Sequence, residues 1–317
     1  MKDLLSILDN FSLKRVLVVG DIMLDHYLEG TPTRMSPEAP IPIFLIEREW
    51  FAPGGAGNTA VNLKEFNSNV GVVGKVGNDH EGRIVLSHFT NKFVRARTWI
   101  SRRTIEKIRG LDKGQHVARF DREIISGFDE KTENEVVCFL KESIGDNDLV
   151  LVSDYEKGFI TEKIARELVQ ISKEKGKMLI VDTKPKHFKW FRGCFCVKPN
   201  KIEAEEFSGI KIDCLEDAEK AGNIIKQQLE TNVLLTLGSM GMVLFEEERT
   251  TRFTSRAEDV FDVTGAGDTV LAVFSLALSA GASMRQAADL ANHAAAIVIA
   301  KPGTATVSLE ELKKSIS

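Results

Sequence analysis

Cysteine is scarce in this chain, with four residues among 317. They have neither the spacing of metal ligands nor the density of a secreted disulfide scaffold; they are Cys138, Cys194, Cys196 and Cys214. No apolar run approaches the ~20 residues that a membrane-spanning helix needs, and the N-terminus is too polar for a signal peptide. These absences predict a protein of the reducing cytoplasm without a membrane partner.

Positive charge is not in excess either. The chain has 42 Lys and Arg against 46 Asp and Glu, which gives a net charge of −4. We therefore expect no general attraction to nucleic acid, and an anionic ligand must be held by local groups. Two nucleotide-binding signatures are also missing. The P-loop pattern Gly-x4-Gly-Lys-Ser/Thr is absent, and Gly20 is followed by Asp21 where a dinucleotide fingerprint needs more glycine.

The segment from Asp262 to Thr269 reads Asp-Val-Thr-Gly-Ala-Gly-Asp-Thr and precedes an apolar run that reaches Ala280. A helix that begins at this glycine-rich bend points unpaired N–H groups and the positive end of its dipole at a ligand, which suits a phosphate. Asp268 falls in the first turn, where a carboxylate can accept a proton from a hydroxyl that receives a phosphoryl group. The alternative is a tight loop with Asp268 as a simple N-terminal helix charge.

Buried strand patterns alternate with helical patterns through the middle of the chain, which predicts βαβ units and a parallel sheet. Ligands of such sheets bind at the carboxyl ends of the strands. Asp21 and Asp25 follow the first strand and are candidate ligand contacts, although an Asp there is as often a cap. Prolines at 32, 37, 40 and 42 forbid a helix. We expect residues 31–47 and 93–121 to form a small inserted β lid.

Two further segments are candidate ligand contacts. Gly54 and Gly55 permit close backbone approach, and Asn58 offers a donor and an acceptor to a sugar hydroxyl. Asn200 and Glu203 lie one helical turn apart and could hold a hydrated Mg²⁺, but they also fit a capping box. The sequence leaves both interpretations open.

Four motifs, taken together and in order, resemble those of the ribokinase (PfkB) family of sugar kinases. They are Gly54-Gly55-Ala56-Gly57-Asn58, Asn200-x-x-Glu203, Thr236-x-Gly238-x-x-Gly241 and Asp262-Val-Thr-Gly-Ala-Gly-Asp268. The resemblance extends from about Arg15 to Ser308. It implies an α/β fold with a doubly wound, mostly parallel sheet flanked by helices and a β-sheet lid, as one kinase domain over residues 1–317.

The resemblance also implies roles for individual residues. Asp268 would be the catalytic base, with an anion hole at Gly265, Ala266 and Gly267. The sugar contacts would be Asp21, Gly54, Gly55 and Asn58, and Asp25 remains a further candidate from its position after the first strand. ATP would be handled by Asn200, Glu203, Thr236, Gly238, Gly241, Gly265, Gly267 and Asn292, with Glu203 holding Mg²⁺ through water. A monovalent cation such as K⁺ would bind near Asp262, Thr264, Gly303 and Ser308.

Other segments, among them Ser153-Asp-Tyr-Glu-Lys-Gly158, resemble the branch of this family that phosphorylates heptose 7-phosphate at O1. Such a substrate needs fixed cations, and the lid offers Arg34, Lys107 and Arg109. No His-x-Gly-His motif is present, so we expect no adenylyltransferase domain. The alternatives are a kinase of another sugar or nucleoside, and a catalytically silent regulator that binds sugar or nucleotide. Open lid edges predict a homodimer.

Overall fold

The computed structural model of the chain describes residues 2–257, 260–301 and 305–316. The strands are β1 (Arg15–Gly20), β2 (Ile22–Met35), β3 (Pro42–Gly55), β4 (Asn69–Gly77), β5 (Arg95–Ser101), β6 (Ile105–Asp112), β7 (Gln115–Arg122), β8 (Leu149–Ser153), β9 (Met178–Asp182), β10 (Cys196–Val197), β11 (Asn232–Thr236), β12 (Met242–Phe245) and β13 (Thr250–Phe253). The helices are α1 (Lys2–Asp9), α2 (Ala56–Glu65), α3 (His80–Asn91), α4 (Glu130–Ser143), α5 (Glu162–Glu174), α6 (Lys201–Ser208), α7 (Leu215–Leu229), α8 (Ala266–Ser279), α9 (Met284–Ile299) and α10 (Leu309–Ser315).

The main sheet has nine strands in the order β13-β12-β11-β10-β9-β8-β1-β4-β5. The seven strands from β11 to β5 are mutually parallel, and β12 and β13 extend the sheet by antiparallel pairing. This arrangement confirms the predicted mostly parallel α/β fold.

Both faces of the main sheet are buried, because successive side chains of a strand point to opposite sides. In β1, Val16 and Val18 belong to one hydrophobic core, while Leu17 and Val19 belong to the other. Helices α2, α8 and α9 supply the first core, and α4, α5 and α7 supply the second. In the described parts of the chain, no helix combines the length and apolarity required to cross a bilayer.

The lid is a separate four-stranded sheet in the order β3-β2-β6-β7. Its long hairpin begins at Ile22 and ends at Gly55, so the lid is larger than the predicted segment 31–47. The prediction was wrong for β5, which pairs in parallel with β4 in the main sheet. Helix α3 joins β4 to β5 and makes this an ordinary crossover unit. Pro42 and Pro53 are tolerated because β3 is an edge strand.

The register of the main sheet brings polar residues together at its carboxyl edge. Gly20 pairs with Ser153, and Ser153 pairs with Asp182. Asp21 and Asp154, which follow β1 and β8, therefore lie beside the end of β9. Lys198 follows β10 at the same edge, and Thr236 ends β11 there.

Candidate active site

Helix α8 begins directly after Gly265, whose φ of 79° lies in the left-handed region that glycine adopts without strain. Ala266, Gly267 and Asp268 form its first turn, where amide groups lack intrahelical acceptors. The rest of α8 is almost entirely apolar and buried, so its N-terminus is held firmly at the carboxyl edge of the sheet. The predicted bend and helix start are present.

Asp268 is only 7% exposed, and its carboxylate accepts three side-chain hydrogen bonds. Asn58 Nδ2 donates to Oδ2 at 2.7 Å, while Thr59 Oγ1 and the Tyr155 hydroxyl each lie 3.1 Å from Oδ1. Burial raises the pKa of Asp268, and the three bonds oppose that rise because they favour the charged form. Together they fix the orientation of the carboxylate.

A second layer of hydrogen bonds joins α2 to α8. Thr269 Oγ1 donates to Asn62 Oδ1 at 2.9 Å, and Asn62 Nδ2 donates to the carbonyl oxygen of Asn58 at 3.0 Å. Asn58 was predicted from the sequence, whereas Thr59, Asn62 and Tyr155 were not. Thr59 and Asn62 could have been predicted, because polar residues one turn apart on a helix that packs into a core require buried partners.

Lys198, which was not predicted from the sequence, lies beside the N-terminus of α8. It is 3% exposed, and its Nζ lies 2.8 Å from Asp182 Oδ2. A methyl group at Gly267 would lie 3.6 Å from the same Nζ, so the ammonium faces the first turn of α8. Burial opposes its charge, but Asp182 and Glu203 raise the pKa of Lys198 above its usual value. A fixed positive charge therefore stands beside the predicted anion hole.

Asn200 and Glu203 form a capping box at the start of α6. Asn200 Oδ1 accepts from the Glu203 amide, and Glu203 Oε2 accepts from the Asn200 amide, both at 2.9 Å. Glu203 Oε1 also lies 2.6 Å from Lys184 Nζ. No cluster of three or more His, Cys, Asp or Glu suited to a metal occurs in the described residues. One carboxylate suits Mg²⁺ only if the ion keeps most of its waters.

Asp21 has a structural task, and its sugar contact stays a prediction. Its carboxylate accepts from the backbone amides of Tyr155 and Lys157 at 2.9 Å each and of Phe159 at 3.0 Å. Burial and the nearby Asp154 raise the pKa of Asp21 to about 6, against these three bonds. Asp21 thus holds the loop after β8, which carries Tyr155 to Asp268.

We expect Asp21→Asn to lower the free energy of unfolding by about 1–3 kcal/mol, because an amide NH₂ would face at least one backbone N–H donor. Urea denaturation measures the loss. Asp213→Asn, at an exposed position before α7, is the control and should leave stability unchanged. Equal stability of Asp21→Asn and the wild type would contradict this assignment.

Asp25 lies in the floor of the lid and pairs with the predicted cation Arg109, whose Nη1 is 2.7 Å from Asp25 Oδ1. Both side chains are buried. A side chain at Gly54 would clash with the Asp25 carboxyl group, and one at Gly55 would clash with the Asp21 carbonyl, which explains these two glycines. The structure therefore brings Asp25, Gly54 and Arg109 together.

The other two predicted lid cations lie in different places. Lys107 Nζ lies 5.1 Å from the centre of the Tyr155 ring, whose hydroxyl contacts Asp268. Arg34 is exposed and lies nine residues beyond Asp25 on β2, which corresponds to about 30 Å of extended strand. The hairpin carries Arg34 away from Asp25 along the strand, and its contact with the substrate stays a prediction.

The predicted nucleotide residues occupy two places. Thr236 bridges to Asn200 at the sheet edge, and its hydroxyl lies 3.4 Å from the Pro199 carbonyl oxygen. Gly238 and Gly241 flank a turn and both have positive φ. Asn292 Nδ2 donates to the Thr254 carbonyl at 2.8 Å and lines a cavity of about 590 Å³ between β13 and α9.

Three of the four residues predicted to bind a monovalent cation lie in the described part of the chain. Asp262 Oδ1 accepts from the Thr264 amide at 2.8 Å, which shapes the loop before Gly265. Ser308 caps α10 in a capping box with Glu311. Gly303 lies outside the described residues. His116 Nε2 of the lid lies 4.0 Å from Asp262 Oδ2, so the tip of the lid lies beside the loop that leads into α8.

Comparison with known proteins agrees with this geometry. The model of the pfkB family of carbohydrate kinases matches residues 13–312. The bifunctional protein HldE of Desulfatibacillum aliphaticivorans is 40% identical over 311 residues, and HldE of a Nitratiruptor species is 38% identical over 304. These matches cover 96% and 95% of this chain. The chain spans 64% of the length of each relative, which is under two thirds.

Solved structures share the fold. Arabidopsis thaliana ribokinase, solved with ribose and ATP, matches with a TM-score of 0.73 at 20% identity and covers 96% of this chain and 99% of its own. Phosphofructokinase-2 from Escherichia coli, solved with potassium, matches with a TM-score of 0.78 at 16% identity, covering 95% and 97%. With the family model matched from residue 13 to residue 312, this chain belongs to the pfkB family of carbohydrate kinases.

Proposed function

We propose that this chain transfers the γ-phosphoryl group of ATP to O1 of a heptose 7-phosphate, with Asp268 as the base. The observation that carries the proposal is the buried Asp268 carboxylate, oriented by three donors at the N-terminus of α8. The heptose assignment rests on the segments that resemble this branch of the family and on the cations of the lid.

In the proposed reaction, the acceptor hydroxyl attacks the γ-phosphorus while the bond to the β-phosphate oxygen breaks. Asp268 takes the hydroxyl proton as the new bond forms; in a loose transition state its position matters more than its basicity. Amide groups of Gly265, Ala266 and Gly267 would stabilise the charge on the transferring group, and Lys198 would add a fixed cation.

Nucleotide binding is proposed for the remaining edge residues. Asn200, Thr236, Gly238, Gly241 and Asn292 would contact ATP. Glu203 would hold Mg²⁺ through water, and the ion would neutralise phosphate charge. Asp262, Thr264, Gly303 and Ser308 remain the proposed neighbours of a monovalent cation. We further propose that the enzyme acts in the cytoplasm, as one kinase domain.

A cluster of cations supports a phosphorylated acceptor. Burial lowers the pKa of Lys107; Asp25 opposes this, while Arg119, Arg109 and Lys157 lower it further. The other three cations of the cluster each pair with a carboxylate. The pairs are Arg109 with Asp25, Arg119 with Asp121, and Lys157 with Glu123. Lys107 has no ion-pair partner among the described residues, so it is the cation best able to meet a substrate phosphate.

A kinase assay with heptose 7-phosphate, fructose 6-phosphate and ribose tests the acceptor directly. The proposal expects the highest kcat/KM with heptose 7-phosphate and phosphorylation at O1, read by NMR of the product. Preference for ribose would favour a kinase of unphosphorylated sugars. Absence of transfer to any sugar, with ATP still bound, would favour a silent binding protein.

Replacing Lys107 tests whether its ammonium group binds the phosphate group of the acceptor. We expect Lys107→Ala to raise KM for heptose 7-phosphate by about tenfold or more, since one charged hydrogen bond is lost, and to spare KM for ATP. Steady-state kinetics measure both constants. Lys113→Ala, in the exposed turn of the same sheet, is the control. An unchanged acceptor KM would remove Lys107 from the site.

We also propose a homodimer through the lid. Several large apolar side chains of the lid are exposed; they are Met35, Ile41, Leu45, Ile46, Val117 and Phe120. Among the residues that the structure describes, strands β3 and β7 each have an edge with no neighbouring strand, which a second copy can cover. We expect light scattering at micromolar concentration to show a dimer and Leu45→Glu to shift it toward monomer. A monomeric wild type would refute the proposal.

A further inference from the structure

A buried lysine that has no part in the proposed chemistry lies near the carboxyl end of β4. Lys75 is 6% exposed, and its Nζ donates a hydrogen bond to the carbonyl oxygen of Ser126. The same nitrogen lies 5.1 Å from the centre of the Phe128 ring. Burial lowers the pKa of Lys75, and the charge of Asp21 opposes that change. Burying an ammonium group opposes folding unless the group is well paired, so the contacts of Lys75 decide why a lysine stands here.

Ser126 and Phe128 belong to the segment that leads from the lid back to the main domain. This lid linker, residues 123–128, lies between β7 and α4. Within the parts of the chain that the structure describes, residues 124–128 form no hydrogen bond with another backbone group. Side chains therefore hold the lid linker in place, and Lys75 supplies one of those contacts.

The lid linker rests on the Tyr155 loop, which comprises residues 154–159 and follows β8. A methyl group at Gly158 would lie 2.8 Å from the Ser126 carbonyl oxygen and 3.2 Å from Lys75 Nζ. The backbone of the loop, the backbone of the linker and the lysine ammonium therefore meet at one point. Gly158 has a φ of 86°, which glycine adopts without strain, so the loop can pass this close to the linker.

Two further contacts join the lid linker to the Tyr155 loop. Lys157 Nζ lies 2.7 Å from Glu123 Oε2, and the rings of Phe128 and Phe159 meet edge to face with their centres 5.5 Å apart. Lys157 also belongs to the cation cluster around Lys107 of the lid. The junction therefore fixes the cations of the lid relative to the loop that reaches the proposed base.

We propose that Lys75 is a positioning residue for phosphoryl transfer, which joins the lid linker to the Tyr155 loop and so places the acceptor phosphate relative to Asp268. The inference rests on the proposed function, because it takes Asp268 as the base. Lys75 holds the linker against the loop at Gly158, and the Tyr155 hydroxyl, three residues earlier, donates to the base. In this role Lys75 contacts neither substrate and acts only through these neighbours.

Lys75→Met tests the proposal, because it removes the charge and the donor but keeps an unbranched side chain to pack on Phe128. We expect kcat/KM for the acceptor to fall about 10–100-fold, since a lost charged hydrogen bond lets the junction shift. Calorimetric binding of ATP should be unchanged. Lys175→Met is the matched control and should behave like the wild type. Lys175 Nζ also donates to a backbone carbonyl, that of Lys141, but it is exposed and follows α5.

A spectroscopic readout separates positioning from a simple loss of stability. Tyr27 and Tyr155 are the two tyrosines of the chain, so labelling with 3-fluorotyrosine gives two ¹⁹F NMR signals, which Tyr155→Phe assigns. We expect Lys75→Met to shift the Tyr155 signal and to leave the Tyr27 signal in place. If thermal unfolding shows that Lys75→Met is not folded at the assay temperature, Lys75→Gln, which keeps a donor for the Ser126 carbonyl, takes its place.

The results for Lys75 and for the proposed function can be told apart. If the wild type phosphorylates none of the acceptors, the proposed function fails, and the ¹⁹F signal alone decides whether Lys75 holds the Tyr155 loop. A shifted Tyr155 signal together with a lower kcat/KM for the acceptor supports the proposal. A folded variant that keeps the wild-type kcat/KM, or the wild-type Tyr155 signal, would overturn it.

Discussion

Asp268→Asn is expected to lower turnover by about 10²–10⁴, the range typical of a lost general base, while ATP binding changes little. Asparagine keeps the shape of the side chain but cannot accept the acceptor proton. Its NH₂ group would also face a hydrogen-bond donor in either orientation of the amide. The donor would be Asn58 Nδ2 in one orientation and the Thr59 and Tyr155 hydroxyl groups in the other. Steady-state kinetics and a nucleotide-binding titration separate the two effects.

The pH dependence gives a second test of Asp268. The base must be ionised, so activity falls as pH drops through its pKa in the folded protein. Because burial raises that pKa, the acid limb of kcat/KM should lie at higher pH than an exposed aspartate would give. Asp217→Asn on the surface of α7 is the control and should keep both rate and profile. Turnover of Asp268→Asn within about threefold of the wild type would rule out the base.

Lys198→Gln is expected to lower turnover by about 10²–10³, the range seen when one preorganised charge-stabilising donor is removed. The Lys198 ammonium faces the first turn of α8 at Gly267 and is held there by Asp182. Its loss removes positive charge where the transferring phosphoryl group is proposed to gain negative charge. Single-turnover kinetics report the chemical step directly.

Two controls make the Lys198 result specific. Lys201→Gln, three residues later and paired only at 3.9 Å with Glu205, should leave turnover unchanged. Lys198→Gln also leaves Asp182 without its partner, so thermal unfolding must show that the variant is folded at the assay temperature. A folded variant with wild-type turnover would exclude Lys198 from phosphoryl transfer.

Some features of this protein are local and were therefore predictable from the sequence. The strand Arg15–Gly20 is a short buried run, and strand patterns alternate with helical patterns through the middle of the chain, so the order of patterns determined the α/β class. The bend at Gly265 depends on neighbouring residues alone, because only glycine adopts that backbone without strain. The capping box of Asn200 and Glu203 likewise spans one helical turn.

The tertiary structure decided what those local patterns could not. Tyr155 reaches Asp268 across 113 positions of sequence, and Asp21 reaches Lys157 across 136. Such pairs depend on strand order and register, which bring the ends of distant strands to one edge.

The same topology assigned β5 to the main sheet, buried Lys198 beside Asp182, and separated Arg34 from Asp25 along a 14-residue strand. The sequence by itself determined the elements and the turn at α8, because these depend on neighbouring residues. Only the packed sheet decided which side chains meet there, because each meeting requires long-range strand pairing.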